Sequence, residues 1–281
     1  MKRPTLDSWI LKKIGLNDRG DGLRQDELER YQLGRINATL GLAAEKSPFY
    51  RSRFRAAKLG NLREIAALPF TYPEDLKADP YPLLCVHPNE VSRIVTLGTS
   101  GSTGISKRVF FTEEDLELCT DYFHHGMRNL VDETDTVGIL FPHKTPASVG
   151  DQLIKGLGRL GARTVPLFGL SDEEILSSIE IDGITSLAGL PNQIGKLAED
   201  SPHLSSIRTV LLSADFVSDR VREMIRRAWH AEVFEHYGMT EMGLGCAVTC
   251  EQQKGYHVRE ADLYLEIIDP ATGGPVPDGQ W

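Results

Sequence analysis

The sequence predicts an α/β protein with mainly parallel sheets flanked by helices. Between Asp135 and Phe234, short apolar segments alternate steadily with helical patterns, as in successive βαβ units. With 281 residues, 41% of them hydrophobic, the chain can form a large core in one or two domains. Sheets of this kind bind ligands at the carboxyl ends of their strands, so the segments that follow the strands are the candidate functional segments.

The individual elements follow from periodicity and from stop signals. Pro48 ends the first long helix, because the residue before a proline avoids the α region, and Gly161 ends a later one. Helices are predicted at about 23–44, 50–57, from 73 onward, 112–130, 149–160, 171–181, 191–199 and 219–229. Strands are predicted at 94–97, 109–111, 135–141, 164–168, 184–188, 207–212, 232–234 and 261–268.

Composition narrows the function classes. A net charge of −9 argues against a nucleic acid or an anionic membrane as a partner held by bulk electrostatics. The amino terminus lacks the apolar segment of a signal peptide, and no apolar stretch approaches transmembrane length. Four cysteines do not make a disulfide scaffold in a chain of this size, which favours a reducing, cytoplasmic location.

The loop between the first two predicted strands has the composition of a polyanion site. Its glycines allow close backbone approach, successive backbone N–H groups can form an anion nest, and Lys107 adds a charge. It is not a Walker A loop, because Ser106 stands where that motif needs glycine. On composition alone, a flexible Gly/Ser loop is the simpler interpretation. The candidate phosphate-binding residues are Thr99, Ser100, Gly101, Ser102, Thr103, Gly104 and Lys107.

A second motif follows the strand at 232–234. Tyr237 offers a flat ring to a base, Thr240 a hydroxyl to a phosphate, and Glu241 a carboxylate to a hard cation such as Mg²⁺. Alone, such a segment is usually only a turn, but the two motifs together are specific.

With both motifs in place, the chain resembles the acyl-adenylate-forming (AMP-binding) superfamily, which includes acyl-CoA synthetases, luciferases and peptide-synthetase adenylation domains. Within it, the chain is most similar to the phenylacetate–CoA ligase and coenzyme F390 synthetase group. The segments that carry this second similarity are 47–51, 68–71, 255–260 and 267–273.

The resemblance implies a role for each candidate residue. The loop at 99–107 would hold the β- and γ-phosphates of ATP, and Lys107, Thr240 and Glu241 would be the catalytic residues, with Glu241 binding Mg²⁺. The nucleotide would also contact Ser213, Ala214, Asp215, Glu235, His236, Tyr237, Gly238, Met239 and Thr240. The carboxylate substrate would lie near Phe141, His143 and His236. Three alternatives remain open: a plain loop position for His143, simple packing for His236, and a cap on the turn after its strand for Asp215.

The implied reaction is ATP-dependent activation of an aryl or acyl carboxylic acid to an acyl-adenylate, followed by transfer to CoA or another thiol. The family's ribose-binding aspartate, hinge residue and catalytic lysine lie downstream of this sequence. The resemblance therefore implies an adenylation core at 1–281 without the small C-terminal lid domain, with ATP or AMP binding and only feeble adenylation. The alternative is a nucleotide-binding remnant of the fold with a binding or regulatory role.

The same resemblance implies the internal division of this core and its assembly. A helical segment would span 1–80, a nucleotide-binding α/β region 81–250, and the start of a β-rich subdomain 251–281. A homodimer is suggested as well.

Three residues near the end suggest a candidate structural zinc site. Cys250 and His257, with Cys246 as a weaker third ligand, fall where some members of the resembled group carry zinc, completed there by a downstream Cys-x-Cys. That pair is absent here, and two or three ligands do not close a tetrahedral site. Reduced thiols beside a surface histidine are therefore the favoured interpretation.

Overall fold

The computed structural model describes residues 5–16, 22–54, 58–97, 106–250 and 252–276. The chain divides into two compact units, one formed by Met1–Trp9 with Glu114–Arg259 and the other by Ile10–Glu113 with Glu260–Trp281. In the described ranges, no helix is both long enough and apolar enough to span a membrane.

Helices and strands lie close to their predicted positions. The helices are α1 Thr5–Lys13, α2 Gln25–Lys46, α3 Pro48–Arg53, α4 Pro73–Ala78, α5 Glu113–Met127, α6 Val149–Leu160, α7 Asp172–Ile181, α8 Pro191–Asp200 and α9 Asp219–Trp229. The strands are β1 Val91–Leu97, β2 Lys107–Thr112, β3 Thr136–Ile139, β4 Arg163–Pro166, β5 Ser186–Gly189, β6 Thr209–Leu212, β7 Glu232–Tyr237, β8 Ala247–Thr249 and β9 Tyr256–Val258. Short 3₁₀ turns lie at Leu62–Ala67, Tyr81–Leu83, Pro88–Glu90 and Thr240–Met242.

The first unit is built on one sheet with the strand order β4-β3-β5-β6-β7-β8-β9. Strands β3 to β7 pair in parallel, and β8 and β9 continue the sheet antiparallel. The predicted α/β class with a mainly parallel sheet is confirmed. Because β3 pairs with β4 on one side and β5 on the other, the chain reverses its direction of winding at β3, which is where such sheets form a ligand crevice.

Local signals explain why the helices end where they do. Ser171 caps α7 by accepting a hydrogen bond from the Glu174 amide, and the Glu174 carboxylate accepts from the Ser171 amide. Gly161 ends α6 in the left-handed conformation, with φ 89°. Three of the helices then bury apolar faces on the central strands, and the resulting core includes Leu140, Ile175, Leu187, Ile194, Val210, Ile225 and Trp229.

Four features differ from the sequence prediction. Strands β8 and β9 were not predicted. Helix α1 was not predicted either, although it buries Leu6, Trp9 and Ile10. The strand predicted at 261–268 is wrong. The described residues there form only an isolated bridge between Ile268 and Pro275, and Ile267 is 73% exposed. Alternating apolar residues give a strand one apolar face, but they do not provide a partner for its backbone hydrogen bonds. A stable strand needs a partner strand beside it.

Candidate nucleotide-binding site

The carboxyl edge of the parallel sheet brings three of the predicted segments to one side of the first unit. Phe141 follows β3, Ser213 follows β6, and β7 ends at Tyr237. Strands β6 and β7 are direct neighbours, with Leu212 paired to Glu235. The two candidate adenine segments are therefore adjacent, as expected from the parallel arrangement.

A side-chain hydrogen bond joins these two strand ends. The Ser213 hydroxyl lies 2.7 Å from Nδ1 of His236. The His236 ring packs against Tyr122 and Phe123 of α5, with ring centroids 5.9 and 5.8 Å away. Its Nε2 atom is buried without a hydrogen-bond partner among the described residues. The contacts of His236 are thus internal, and its proposed contact with a substrate remains a prediction.

The bend after β6 has an unusual backbone. Ala214 adopts a positive φ of 68°, which a residue with a side chain rarely does. Asp215 stabilises the bend by accepting a hydrogen bond from the Phe216 amide at 2.7 Å, and the Phe216 side chain is 83% exposed. Strained backbone of this kind clusters at ligand sites, which supports the choice of this bend as a nucleotide contact.

The second motif forms a tight turn immediately after β7. Tyr237 is 48% exposed, so its ring face is accessible at this edge. The 3₁₀ turn Thr240–Met242 is closed by hydrogen bonds from the Gly243 amide to Thr240 O and from the Leu244 amide to Met239 O, both 3.1 Å. Glu241 is exposed on this turn. The ring, the hydroxyl and the carboxylate that the motif predicts therefore come from one short, ordered segment.

Two glycines allow this turn to pack against the protein. A Cβ atom on Gly238 would lie 2.2 Å from the carbonyl oxygen of Leu244, and one on Gly245 would lie 2.2 Å from the Tyr122 ring. Both distances are shorter than any real contact, so no other residue fits without moving the backbone or a buried ring. Gly238 of the motif is thus required by packing.

The Glu235 carboxylate is held by two neighbours. It accepts hydrogen bonds from Nε and Nη2 of Arg222 and, at 2.6 Å, from the hydroxyl of Tyr256. Burial and the bond to Glu235 raise the pKa of Tyr256 to about 12, so the phenol stays protonated as a donor. A contact between Glu235 and adenine remains a prediction that has to coexist with these bonds.

The segment after β3 is packed against α6. Phe141 is buried, and Gly150 lies so close that an added Cβ would be 2.6 Å from the Phe141 carbonyl oxygen. The Nδ1 atom of His143 is buried with no partner among the described residues. The structure places both residues at the predicted edge, and their role towards a carboxylate substrate remains a prediction.

The phosphate-loop prediction falls mostly outside the described residues. Thr99, Ser100, Gly101, Ser102, Thr103 and Gly104 belong to 98–105, which the structure does not describe. Lys107 opens β2 in the second unit, where it pairs with Leu97.

The candidate zinc site is not formed in the described part of the chain, where no group of three or more His, Cys, Asp or Glu side chains could hold a metal ion. The Cys250 thiol points to the Lys254 carbonyl at 3.8 Å, and His257 lies 3.7 Å from Asp7. Burial raises the pKa of the Cys246 thiol, so this thiol stays protonated in the metal-free protein. Zinc binding at Cys250, His257 and Cys246 therefore stays a prediction, and reduced thiols beside a histidine remain the favoured interpretation.

Sequence reasoning missed the residues that support the turn. Arg222 reaches Glu235 from α9, Cys119 reaches Gly243 from α5, and Arg259 reaches Met242 from beyond β9. Only Arg259 had a sequence signal, because it lies in one of the segments that resemble the family. The other contacts join residues far apart in the chain, which no local pattern reveals.

The buried His236 gives the protein a predicted pH dependence. Burial first, and the nearby Arg259 charge second, lower the pKa of His236 to about 4. Between about pH 6.5 and 4, His236 is protonated in the unfolded chain but stays neutral in the folded protein. The free energy of unfolding therefore falls as the pH falls. We expect His236 to contribute a loss of at most roughly 3 kcal/mol across this window.

Urea unfolding of wild type and His236→Gln at pH 7.5 and pH 4.5 measures this loss as a difference between the two proteins. The exposed His203 provides the matched control variant, His203→Gln. Equal pH dependence in wild type and His236→Gln would contradict the prediction.

The comparisons identify the family of the chain. The bend and the turn lie at the carboxyl edge of a mainly parallel sheet, which is where such sheets bind ligands. Residues 62–280 match the family model described as "AMP-binding enzyme", and the chain belongs to this family.

Curated relatives are phenylacetate–coenzyme A ligases. The chain is 30% identical over 276 residues to that of Pseudomonas putida and 28% identical over 281 residues to that of Escherichia coli, covering 91% of this chain in both cases. It spans 61% of the length of each relative. Among solved structures, a 2-hydroxyisobutyryl-CoA ligase in complex with 2-HIB-AMP and CoA superimposes with a TM-score of 0.78 at 21% identity. That match covers 92% of this chain and 59% of the other, and it supports the fold.

Proposed function

We propose that this chain is the adenylate-forming core of an ATP-dependent acid–thiol ligase. The observation that carries the proposal is the Tyr237–Glu241 turn beside the Ser213–Asp215 bend, in a chain of the AMP-binding family. The reaction activates a carboxylic acid as its adenylate and then forms a thioester with CoA or another thiol. The names of the relatives favour an aryl or small acyl acid as the substrate.

The nucleotide base and sugar-phosphate are held by the two adjacent strand ends. The accessible Tyr237 ring stacks on adenine, and the backbone of Ser213, Ala214 and Asp215 borders it on the neighbouring strand. Thr240 donates its hydroxyl to the α-phosphate. Gly238 and Met239 connect these two contacts, and the Ser213–His236 hydrogen bond joins the two strand ends.

Glu241 fits the requirements of a magnesium ligand. Mg²⁺ keeps several waters and takes one or two carboxylates together with substrate phosphates, so a single exposed carboxylate on an ordered turn suffices. The ion, when bound with ATP, neutralises phosphate charge. Lys107 and the loop at 99–104 hold the β- and γ-phosphates in this proposal.

The chemistry is an in-line displacement. A carboxylate oxygen of the substrate attacks the α-phosphorus, a new O–P bond forms, and the bond to the β-phosphate oxygen breaks, so pyrophosphate leaves with the electron pair. A thiol then attacks the acyl carbon, and AMP leaves. The protein contributes positioning and charge compensation, and it supplies no covalent group.

The proposed enzyme is cytoplasmic and acts on small molecules, without nucleic acid or membrane partners. Its four free cysteines and its net charge of −9 fit this proposal. A homodimer is its proposed assembly.

The test is calorimetric titration of the 281-residue chain with ATP and AMP, in Mg²⁺ and in EDTA. Pyrophosphate release is then assayed over a panel of aryl and short acyl acids. We expect binding of both nucleotides, Mg²⁺-dependent tightening for ATP, and slow adenylation of at least one acid. Absence of adenine-nucleotide binding would overturn the proposal. Binding without pyrophosphate release for any acid would favour a nucleotide-binding role instead.

A further inference from the structure

A buried arginine lies behind the turn that carries Glu241. Arg259 follows β9 and is 2% exposed. Its backbone amide donates to Cys246 O at 3.0 Å, which anchors its main chain to the segment after the turn. Its guanidinium carbon lies 5.3 Å from the centroid of the Tyr122 ring, within the range of a cation–π contact.

The guanidinium and a thiol together hold two consecutive carbonyl groups of the turn. Nη2 of Arg259 donates a hydrogen bond to Met242 O. The Cys119 thiol donates to Gly243 O at 3.0 Å. These are the first two carbonyl groups after Glu241, so the carboxyl side of the turn is fixed from the protein interior by α5 and by the residue after β9.

The burial of Arg259 at this position is unfavourable for the stability of the protein. Two of its nitrogens, Nε and Nη1, are buried with no hydrogen-bond partner among the described residues. A buried charge with unsatisfied donors destabilises a protein, and an apolar side chain of similar volume would often be better for stability alone. A guanidinium, however, combines a strong carbonyl contact with a flat surface that packs on Tyr122, which sets the geometry of the turn.

We infer that Arg259 is a positioning residue, which fixes the Thr240–Gly243 turn and thereby orients Glu241 towards the metal–phosphate group of bound ATP. The inference rests on the proposed function. Arg259 itself touches no substrate, since its side chain is enclosed by Tyr122, Met242 and Gly243.

The test compares Arg259→Met and Arg259→Lys with a matched control. Trp229 also uses a buried N–H to hold a backbone carbonyl, that of Ser201 at 2.9 Å, but far along the chain from the turn, so Trp229→Phe is the control. We expect Arg259→Met to weaken ATP binding in Mg²⁺ about tenfold, with AMP binding within about twofold of wild type. Arg259→Lys keeps the charge and one donor, and it should recover part of the loss. Trp229→Phe should leave both the ATP affinity in Mg²⁺ and the AMP affinity unchanged.

A double-variant comparison of Arg259 with Glu241 gives a second readout. Because Arg259 acts through Glu241, Arg259→Met should add no further loss in a Glu241→Gln background. If Arg259→Met fails to fold, Arg259→Lys carries the test, and it should weaken ATP binding in Mg²⁺ more than AMP binding. Equal loss of ATP and AMP affinity, or no loss, would overturn the inference.

Hydrogen exchange separates this inference from the proposed function. Without nucleotide, Arg259→Met should speed exchange of the Gly243 and Leu244 amides, which close the turn, relative to Trp229→Phe. If wild type bound no nucleotide, the proposed function and with it the orienting role would fail, while faster exchange would still show that Arg259 holds the turn. Unchanged exchange would overturn the structural part as well.

Discussion

Gly238→Ala is expected to lower the free energy of unfolding by about 2–3 kcal/mol and to abolish nucleotide binding. The added methyl group would lie 2.2 Å from Leu244 O and 2.9 Å from Gly245 Cα, both backbone atoms. Backbone cannot rotate away as a side chain can, so the turn and the segment after it have to separate. That separation moves Thr240 and Glu241 relative to Tyr237, and the site loses its geometry together with its stability.

Urea unfolding and calorimetric titration with AMP measure the two effects. The matched control is Gly158→Ala in α6, where an added Cβ meets nothing within 4 Å. In that helix, alanine should stabilise the protein by about 0.5–1 kcal/mol and leave AMP binding unchanged. An unfolding midpoint for Gly238→Ala that matches wild type would contradict the steric argument.

Gly238 also illustrates how far sequence reasoning reaches. The motif could be recognised as a pattern, and its chemistry could be predicted from its residue types. The reason for its glycine could not, because Leu244 approaches only after the chain has turned through Gly243, whose φ is 70°. A pattern records which residue is present, whereas the contact that demands it depends on the path of the backbone.

The elements that were predicted well are those whose signals are local. The Ser171–Glu174 capping box sets the start of α7, and Gly161 sets the end of α6. Each signal spans four residues or fewer. Alternation of strands and helices then predicts the parallel sheet and the carboxyl edge at which such sheets bind ligands. The strand predicted at 261–268 failed for the converse reason, since its formation depends on a neighbour that the local pattern does not contain.

The contacts that hold the site together are long-range. Ser213 and His236 are 23 residues apart, and Cys119 and Gly243 are 124 residues apart. Such pairs follow from strand order and helix packing, which single-residue patterns do not specify. The sequence therefore predicts candidate ligand contacts, while the structure was needed to find which groups hold those residues in place.

Glu241→Gln is expected to remove the Mg²⁺-dependent part of ATP binding and to abolish pyrophosphate release. Glutamine has nearly the same shape but no charge, so the 3₁₀ turn Thr240–Met242 and its hydrogen bonds should persist. Mg²⁺ binds carboxylate oxygens far better than amide oxygens in sites that rely on one protein ligand and the substrate phosphates. In Mg²⁺ the affinity for ATP should fall about tenfold or more, while in EDTA it should match wild type.

AMP lacks the pyrophosphate part of ATP and therefore provides the internal comparison. AMP binding depends on the Tyr237 ring and the strand ends, so Glu241→Gln should leave it within about twofold. The exposed Glu180 on α7 supplies the charge-matched control, Glu180→Gln, which should behave as wild type with both nucleotides. If Glu241→Gln weakens AMP and ATP equally, Glu241 supports the turn rather than the metal. If it weakens neither, the carboxylate that the motif presents is not the magnesium ligand, and the charge on the phosphates has to be compensated by other groups of the chain.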